Sequence, residues 1–243
     1  MRYELFSGGA SLGFADTNKP SIKGKMIFID GPDGSGKSTQ VKNIKEYLED
    51  KGYEVLMLRQ PGMPGEHGDN VRKALFGNDR YMNFWAVRTL FAAEYLEFMD
   101  RYGYEYDKVV ICDRNVITSN ACIGGAEIGN LDEVIRELSG IYNLAERKPD
   151  NIIICSVTPE TTLSRLSKRA DAGGNLNHYD CSSEWFHRKS CFNYSKMEEI
   201  DENNPNLLGL DSSHKTIYSI DANGTEDEVT EKLIDLLNNL YSI

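Results

Sequence analysis

The sequence predicts an α/β fold: a doubly wound, five-stranded parallel sheet with helices on both faces. Three observations predict it. Five short apolar runs alternate with segments of helical periodicity, which is the pattern of repeated βαβ units. A glycine-rich loop follows the first run and leads into a helix. Polar motifs follow several runs, at the carboxyl ends of strands where such sheets bind ligands.

The predicted strands are the runs Met26–Asp30, Glu54–Leu58, Lys108–Cys112, Asn151–Val157 and Thr216–Asp221. A helix follows the first strand, because Val41, Ile44 and Leu48 share one face and Gly52 provides a stop.

Further helices are predicted between the later strands. Thr158-Pro159 begins one, since proline suits the first helical position. A capping box from Thr225 to Glu228 begins the last. The remaining predicted helices are Asn83–Met99, Leu131–Ala145 and about Ser183–Glu199.

Composition agrees with one globular domain. Of 243 residues, 40% are hydrophobic and 27% are charged. The formal net charge of -11 argues against stable nucleic-acid binding, which needs a basic surface. Five cysteines without a CxxC pair indicate a reducing, cytoplasmic setting, and no apolar run is long enough to predict a membrane span. We interpret residues 1–25 as an N-terminal extension of unknown role and 26–243 as the domain.

The first turn carries a phosphate-binding motif. GPDGSGKS at 31–38 matches GxxxxGK[ST] between a strand and a helix. Lys37 is expected to reach the β- and γ-phosphates, and the Ser38 hydroxyl to bind Mg²⁺. The alternative is a glycine-rich turn that matches by chance. The residues predicted to contact ATP are Gly31, Asp33, Gly34, Ser35, Gly36, Lys37, Ser38 and Thr39.

Six ordered segments carry more specific information: FIDGPDGSGKSTQ (28–40), RQPG (59–62), LFAAE (90–94), VVICDR (109–114), SVTPE (156–160) and IDANGTEDEV (220–229). Together they resemble the thymidylate kinase family from Met26 to the C-terminus. The resemblance implies a P-loop nucleoside monophosphate kinase with a helical lid. It also implies ATP and Mg²⁺ as cofactors and dTMP as acceptor.

The resemblance assigns acceptor-site roles position by position. Asp33 would face the sugar 3′-hydroxyl and the metal region, although it could simply cap the loop. Arg59 and Pro61 would lie in a turn under the acceptor. Arg72 would contact the acceptor phosphate, or else be a solvated helix residue. Phe91 would stack on the acceptor base; alternatively, it is an ordinary residue of the hydrophobic core.

Catalytic roles are also implied by the resemblance. Arg114 would bridge the donor and acceptor phosphates, with Lys37 as a second catalytic cation. Asp113 would hold Mg²⁺ or its waters. A lid from about 165 to 188 would close over ATP and exclude water. Its candidate cations are Arg165, Lys168, Arg169, Arg188 and Lys189, of which Arg169 is the predicted catalytic residue; the alternative is a solvated basic face.

The sequence departs from the family pattern at four places. Tyr95 replaces an arginine that bonds the thymine carbonyl, and Asn115 replaces the aromatic or histidine after Asp-Arg. Cys122 replaces an aromatic that crowds the sugar 2′ position. In the lid, 177–180 read NHYD, so His178 stands where an arginine is expected.

Most departures surround the acceptor, so an altered base or sugar preference is an open alternative. Tyr95, Thr118, Ser119 and Cys122 complete the predicted acceptor site, and Asn120 is also available to bond a pyrimidine edge. Rival predictions are a kinase for another acceptor (a modified pyrimidine or uridylate monophosphate, or a nucleoside) and a non-catalytic ATP-binding switch module. The resemblance further implies a homodimer through helices near 82–99.

Overall fold

The computed structural model describes residues 19–76, 83–174 and 176–243. Its core is one sheet of five parallel strands in the order β2-β3-β1-β4-β5. This confirms the predicted fold class. The strands are β1 (Met26–Asp30), β2 (Val55–Arg59), β3 (Val109–Asp113), β4 (Asn151–Ser156) and β5 (Ile217–Asp221).

The helices lie along the chain in the places that βαβ crossovers require. They are α1 (Lys37–Asp50), α2 (Glu66–Phe76), α3 (Phe84–Tyr102), α4 (Val116–Ile128), α5 (Leu131–Tyr142), α6 (Pro159–Asp171), α7 (Glu184–Ser195), α8 (Met197–Asn203) and α9 (Glu226–Leu240). A short 3₁₀ helix, Pro205–Leu208, precedes β5. Among the described helices, none is both long enough and apolar enough to cross a bilayer.

Helices cover both faces of the sheet. Successive β1 residues point to opposite sides, so Phe28 joins one apolar cluster and Ile29 the other. The Phe28 cluster contains the buried faces of α3, α4 and α5, whereas the Ile29 cluster contains those of α1 and α9. Strands buried on both faces read as continuous apolar runs, which is why the sequence revealed them.

Two helices were not predicted. α4 is buried over almost its whole length, so it has no polar face and no amphipathic period. α2 contains Gly68 and is largely polar, which weakens the same signal. Both follow strand ends, and both contribute residues to the site described below.

Several predicted boundaries were wrong. The predicted helix Ser183–Glu199 is two helices, with a break at Lys196. At the break the Ser195 hydroxyl donates to the Phe192 carbonyl oxygen, a bond that competes with the helical ladder. The helix predicted to reach Ala145 ends at Tyr142. Six strand boundaries, in β2, β3, β4 and β5, each move by one residue, which is within the usual variation of element ends.

The end of the predicted N-terminal extension packs against the domain. Ile22 is buried in the cluster that contains α1 and α9, and Ser21 forms a bridge with Ser242. The Gly24 N–H donates to the Lys108 carbonyl oxygen at 2.9 Å. Residues 1–18 of that extension lie outside the described residues.

Candidate active site

A cavity of about 400 Å³ opens at the carboxyl ends of β1, β2 and β3. It brings together residues from the first turn, from the turns after β2 and β3, from α2, α3, α4 and α6, and from the segment between α6 and α7. Its lining residues are Asp33, Gly34, Gly36, Lys37, Ser38, Thr39, Arg59, Gln60, Pro61, Arg72, Phe76, Phe91, Asp113, Arg114, Ser119, Ile123, Arg165, Arg169, Asn177, Tyr179 and Asp180.

The first turn wraps its backbone around the cavity edge. Gly36 has a φ of +88°, in the left-handed region that favours glycine. Gly31 has a φ of +148° and lies close to β4, so that a Cβ at Gly31 would be 2.6 Å from the Cys155 carbonyl oxygen. The N-terminus of α1 therefore faces the cavity, which favours an anion there. The Lys37 ammonium donates to the Pro32 carbonyl oxygen at 3.0 Å. Burial and the nearby Arg114 charge lower the pKa of Lys37.

Arg114 lies between the first turn and the end of β3. Its backbone has φ +76°, the left-handed region, and among the described non-glycine residues it alone lies there. Its guanidinium forms an ion pair with Asp33 and lies 3.7 Å from the Asp30 carboxylate. Burial alone would raise the pKa of Asp33, but the charges of Arg114 and Lys37 outweigh burial and hold that pKa below its ordinary value.

Two oxygens beside the first turn suit a divalent cation. The Ser38 hydroxyl donates to Asp113 Oδ2 at 2.5 Å, while Asp113 Oδ1 has no hydrogen-bond partner among the described residues. No group of three or more His, Cys, Asp or Glu side chains suited to hold a metal occurs in the described parts of the chain. The Ser38 and Asp113 oxygens fit Mg²⁺, which usually takes one or two protein ligands and completes its shell with phosphate and water.

The turn after β2 is held from two sides. Gln60 accepts from the Val116 N–H at 3.1 Å, which ties the turn to α4. Buried Glu94 of α3 accepts from the Gly62 N–H at 3.0 Å. The Gln60–Pro61 peptide bond is cis, and Arg72 of α2 donates to the Pro61 carbonyl oxygen at 3.2 Å.

Three arginines gather around this turn. Burial, together with the neighbouring charges of Arg59 and Arg114, lowers the pKa of Arg72. Like charges so close together repel one another, and an anion between them would relieve that repulsion. This end of the cavity is therefore suited to a phosphate group.

Another part of the cavity wall, its aromatic end, is bordered by Arg72: the guanidinium carbon lies 5.0 Å from the Phe76 ring centroid. Phe91 of α3 meets Phe76 of α2 edge to face, with centroids 6.1 Å apart. Phe76 in turn meets Tyr179 edge to face at 6.1 Å. Ile123 of α4 completes an apolar wall with Tyr179. Such a surface can hold a planar ring.

Two arginines of the segment between 165 and 188 reach the cavity. Arg165 donates to the Gly34 carbonyl oxygen at 3.2 Å and to the Gly224 carbonyl oxygen at 2.9 Å, so it bridges the first turn and the loop after β5. Arg169 also lines the cavity and pairs with Asp180 at 2.9 Å. The other three cations predicted for the lid do not line the cavity. Arg188 pairs with Glu160 and Glu184 on the surface. Lys168 and Lys189 are absent from the lining.

The chain is similar to proteins of one known family. A family model described as thymidylate kinase matches residues 29–231. A thymidylate kinase of Caldicellulosiruptor saccharolyticus is 32% identical over 222 residues, which cover 90% of this chain and 98% of that protein. One from Protochlamydia amoebophila is 28% identical over 228 residues, covering 91% and 95%. A probable thymidylate kinase of Pyrococcus horikoshii is 31% identical over 188 residues, covering 74% and 85%.

The chain belongs to the thymidylate kinase family. The family predicted from the ordered motifs is thus confirmed. The family model spans both the phosphate-binding turn and the segment from 165 to 188, so the whole cavity lies within the matched region.

Most of the residues predicted for a thymidylate kinase site lie around the one cavity. Gly31 and Ser35 belong to the turn but do not line it; Ser35 is buried, and its Oγ has no partner among the described residues. The predicted residues that do line it are Asp33, Gly34, Gly36, Lys37, Ser38, Thr39, Arg59, Pro61, Arg72, Phe91, Asp113, Arg114, Ser119 and Arg169.

Three predicted acceptor residues lie behind the cavity wall. Tyr95 is fully buried edge to face with Tyr142, and its hydroxyl has no partner among the described residues. The Thr118 hydroxyl donates to buried Asp30, so it supports β1. Cys122 is fully buried, and burial raises the pKa of its thiol.

Two of the departures from the family pattern have local explanations. Asn115 caps α4, because its side chain accepts from the Thr118 N–H at 3.2 Å. His178 is exposed and contacts Tyr179 edge to face at 5.4 Å.

Sequence reasoning missed Phe76 and Ile123. Phe76 ends the unpredicted α2, and Ile123 lies on the unpredicted α4. The aromatic end of the cavity was therefore recognised only through Phe91. A helix assignment after each strand end, which the βαβ pattern requires, would have placed both residues near the site but not in the cavity wall.

Proposed function

We propose that this protein transfers the γ-phosphoryl group of ATP to a pyrimidine deoxynucleoside monophosphate, dTMP first, giving ADP and dTDP. The observation that carries the proposal is one cavity that brings Lys37, Arg114 and Arg72 together with an aromatic wall. Lys37 marks the donor side, Arg72 the acceptor phosphate, and Phe91 the acceptor base. The relatives named as thymidylate kinases support the same acceptor.

The donor fits on the first-turn side. The backbone N–H groups at the start of α1 and the Lys37 ammonium would hold the β- and γ-phosphates. A smaller cavity of about 200 Å³ lies between Arg165 and the loop that leads into α9, lined in part by Thr39 and Thr225. We place the base of ATP there, where the flat Arg165 guanidinium can stack on a ring.

Mg²⁺ fits beside Ser38 and Asp113. When bound, it would neutralise charge on the phosphate oxygens. The Ser38 hydroxyl and the free Oδ1 of Asp113 would hold the ion or its waters.

The reaction needs little covalent chemistry from the protein. An oxygen of the acceptor phosphate attacks the γ-phosphorus, a new P–O bond forms, and the bond to the β-phosphate bridging oxygen breaks as ADP leaves. The acceptor phosphate is already an anionic nucleophile, so no general base is required. Lys37, Arg114 and Arg169 would align the two phosphates and offset negative charge in the transition state.

A homodimer in the cytoplasm is part of the proposal. Phe84, Trp85, Leu90 and Leu96 of α3 are apolar and only partly buried, which suits a subunit interface. The net charge of -11 supports small-molecule nucleotides as partners and argues against stable nucleic-acid binding.

A panel of monophosphates tests the proposal. ADP formation with ATP and Mg²⁺ is measured for dTMP, dUMP, UMP, dCMP and dGMP, and the product is identified by chromatography. The expected result is turnover with dTMP that Lys37→Ala abolishes. The control is Lys51→Ala, an exposed change at the far end of the same helix, which should leave turnover intact. ATP binding without transfer to any acceptor would favour a switch module, and transfer only to a different acceptor would replace dTMP.

A further inference from the structure

Asp30, the last residue of β1, carries a carboxylate that has no exposed surface. It lies next to the first turn, yet it is absent from the cavity lining. A buried charge lowers stability unless hydrogen bonds and an opposite charge surround it. The groups around Asp30 therefore indicate what the charge is kept for.

Hydrogen-bond donors from three segments converge on this carboxylate. The Gly31 N–H of the first turn donates to Oδ1 at 2.8 Å. From α4, the Thr118 and Ser119 hydroxyls both donate, the Ser119 hydroxyl at 2.9 Å to Oδ2. The buried Tyr194 hydroxyl of α7 donates to Oδ1 at 3.2 Å. Both oxygens of Asp30 are therefore held, which fixes the orientation of the carboxylate.

The positive charge that faces this carboxylate belongs to Arg114. Arg114 Nη1 lies 3.7 Å from Asp30 Oδ1 and donates to the Gly31 carbonyl oxygen at 3.4 Å. Arg114 Nη2 pairs with Asp33. Each terminal nitrogen of the guanidinium thus faces a different carboxylate.

The two carboxylates differ in their access to ligands. Asp33 lines the cavity, so a bound metal ion or nucleotide can compete with Arg114 for it. Asp30 is fully buried, and its other contacts are all with the protein, so ligands cannot reach it. Solvent and salt also screen a buried charge less than an exposed one. The attraction between Asp30 and Arg114 therefore persists when phosphates enter the cavity.

We propose that Asp30 is a positioning residue for phosphoryl transfer, which keeps the Arg114 guanidinium in place while the donor and acceptor phosphates bind. Asp30 acts through Arg114 and touches neither nucleotide. Without the Asp30 charge, Arg114 is freer to follow one phosphate away from the other, and the alignment that stabilises the transition state weakens. This inference rests on the proposed function.

Asp30→Asn tests the role of the charge, because asparagine has nearly the same size and keeps an oxygen that accepts hydrogen bonds. With ATP, Mg²⁺ and dTMP, kcat should fall by about tenfold or more, the size of one charge-assisted hydrogen bond. The KM of each substrate should change by less than about threefold, because Asp30 contacts neither. Asp30→Glu keeps the charge, so its kcat should exceed that of Asp30→Asn by at least about fivefold. A folded Asp30→Asn protein with an unchanged kcat would contradict the inference.

Asp150→Asn is the matched control for the loss of a buried charge. Asp150 immediately precedes β4, at the opposite end of the sheet. It accepts from the Met26 N–H at 2.9 Å and pairs with Lys25 and Arg147. Both asparagine variants should lower the melting temperature, but only Asp30→Asn should lower kcat. An equal fall in kcat for the two variants would show that Asp30 contributes stability alone.

A double-mutant cycle tests whether Asp30 acts through Arg114. In an Arg114→Ala protein, adding Asp30→Asn should change kcat by less than about twofold, because the guanidinium that Asp30 holds is already gone. The same fold loss with and without Arg114 would contradict the inference.

A crystal structure of the unaltered protein gives a test that does not depend on the folding of a variant. With a bound dinucleotide in which adenosine and thymidine are joined by five phosphates, Arg114 Nη1 should remain within about 4 Å of Asp30. A guanidinium turned away from Asp30 in that complex would contradict the inference. Absence of transfer to any monophosphate by the unaltered protein would instead contradict the proposed function.

Discussion

The Arg114 guanidinium pairs with the Asp33 carboxylate across the mouth of the phosphate-binding turn. The pair joins the end of β3 to the turn after β1, and Arg114 holds a left-handed backbone conformation to make it. Two sets of phosphates brought into this cavity would meet at Arg114. In the proposed function, Arg114 would lie where the donor and acceptor phosphates come together.

Arg114→Lys tests this placement. Lysine keeps the charge but lacks the planar fork that can contact two phosphates at once, so we expect kcat/KM for dTMP to fall by about 100-fold or more. The melting temperature should change little, because a cation still faces Asp33 and Asp30. Arg136→Lys, an exposed change on α5, is the control. A variant within threefold of the unaltered protein would remove Arg114 from the mechanism.

Ser38→Ala tests the proposed cation site. Loss of the hydroxyl beside Asp113 should raise the Mg²⁺ concentration needed for half-maximal activity by about tenfold, whereas Ser38→Thr, which keeps a hydroxyl, should not. The measurement is a Mg²⁺ titration at fixed, saturating ATP. Identical titration curves for the alanine variant and the unaltered protein would place the ion elsewhere.

Glu94 should make stability depend on pH. Burial raises its pKa from 4.5 to about 7, so the folded state holds a proton that the unfolded state releases near pH 4.5. Its stabilising contribution is complete below pH 4.5 and is lost as the pH rises through about 7. The total change is about 3 kcal/mol in the free energy of unfolding.

Glu94→Gln isolates this effect, because the amide oxygen can still accept from the Gly62 N–H while carrying no charge. The free energy of unfolding of the variant minus that of the unaltered protein should increase between about pH 4 and pH 8. Chemical denaturation at several pH values measures it. A difference that does not change with pH would show that Glu94 titrates normally.

The sequence predicted the strands, and it predicted which polar residues gather at their carboxyl ends, for a physical reason. A strand buried on both faces must be a continuous apolar run, and phosphate binding needs glycines and cations at fixed spacing. Both patterns are formed by residues that are close together in the sequence. Lys37, Ser38 and Arg114 were therefore found next to the strands that position them.

The aromatic end could not be predicted in the same way. Its wall is made by Phe76, Phe91, Ile123 and Tyr179, which come from four separate segments and meet only through tertiary packing. Nothing in the local sequence distinguishes a phenylalanine in a cavity wall from one in the core. Tyr95 shows the opposite case, an aromatic residue that was predicted to line the acceptor site but lies in the core. It is on the same helix as Phe91 and packs against Tyr142 behind the cavity wall.

In the proposed function, one cavity holds both nucleotides with their phosphates end to end. Calorimetric binding of a dinucleotide in which adenosine and thymidine are joined by five phosphates tests this directly. We expect one molecule to bind per chain, at least about 100-fold more tightly than ADP or dTMP alone, and to exclude both. Binding no tighter than ADP, with dTMP still able to bind, would contradict it.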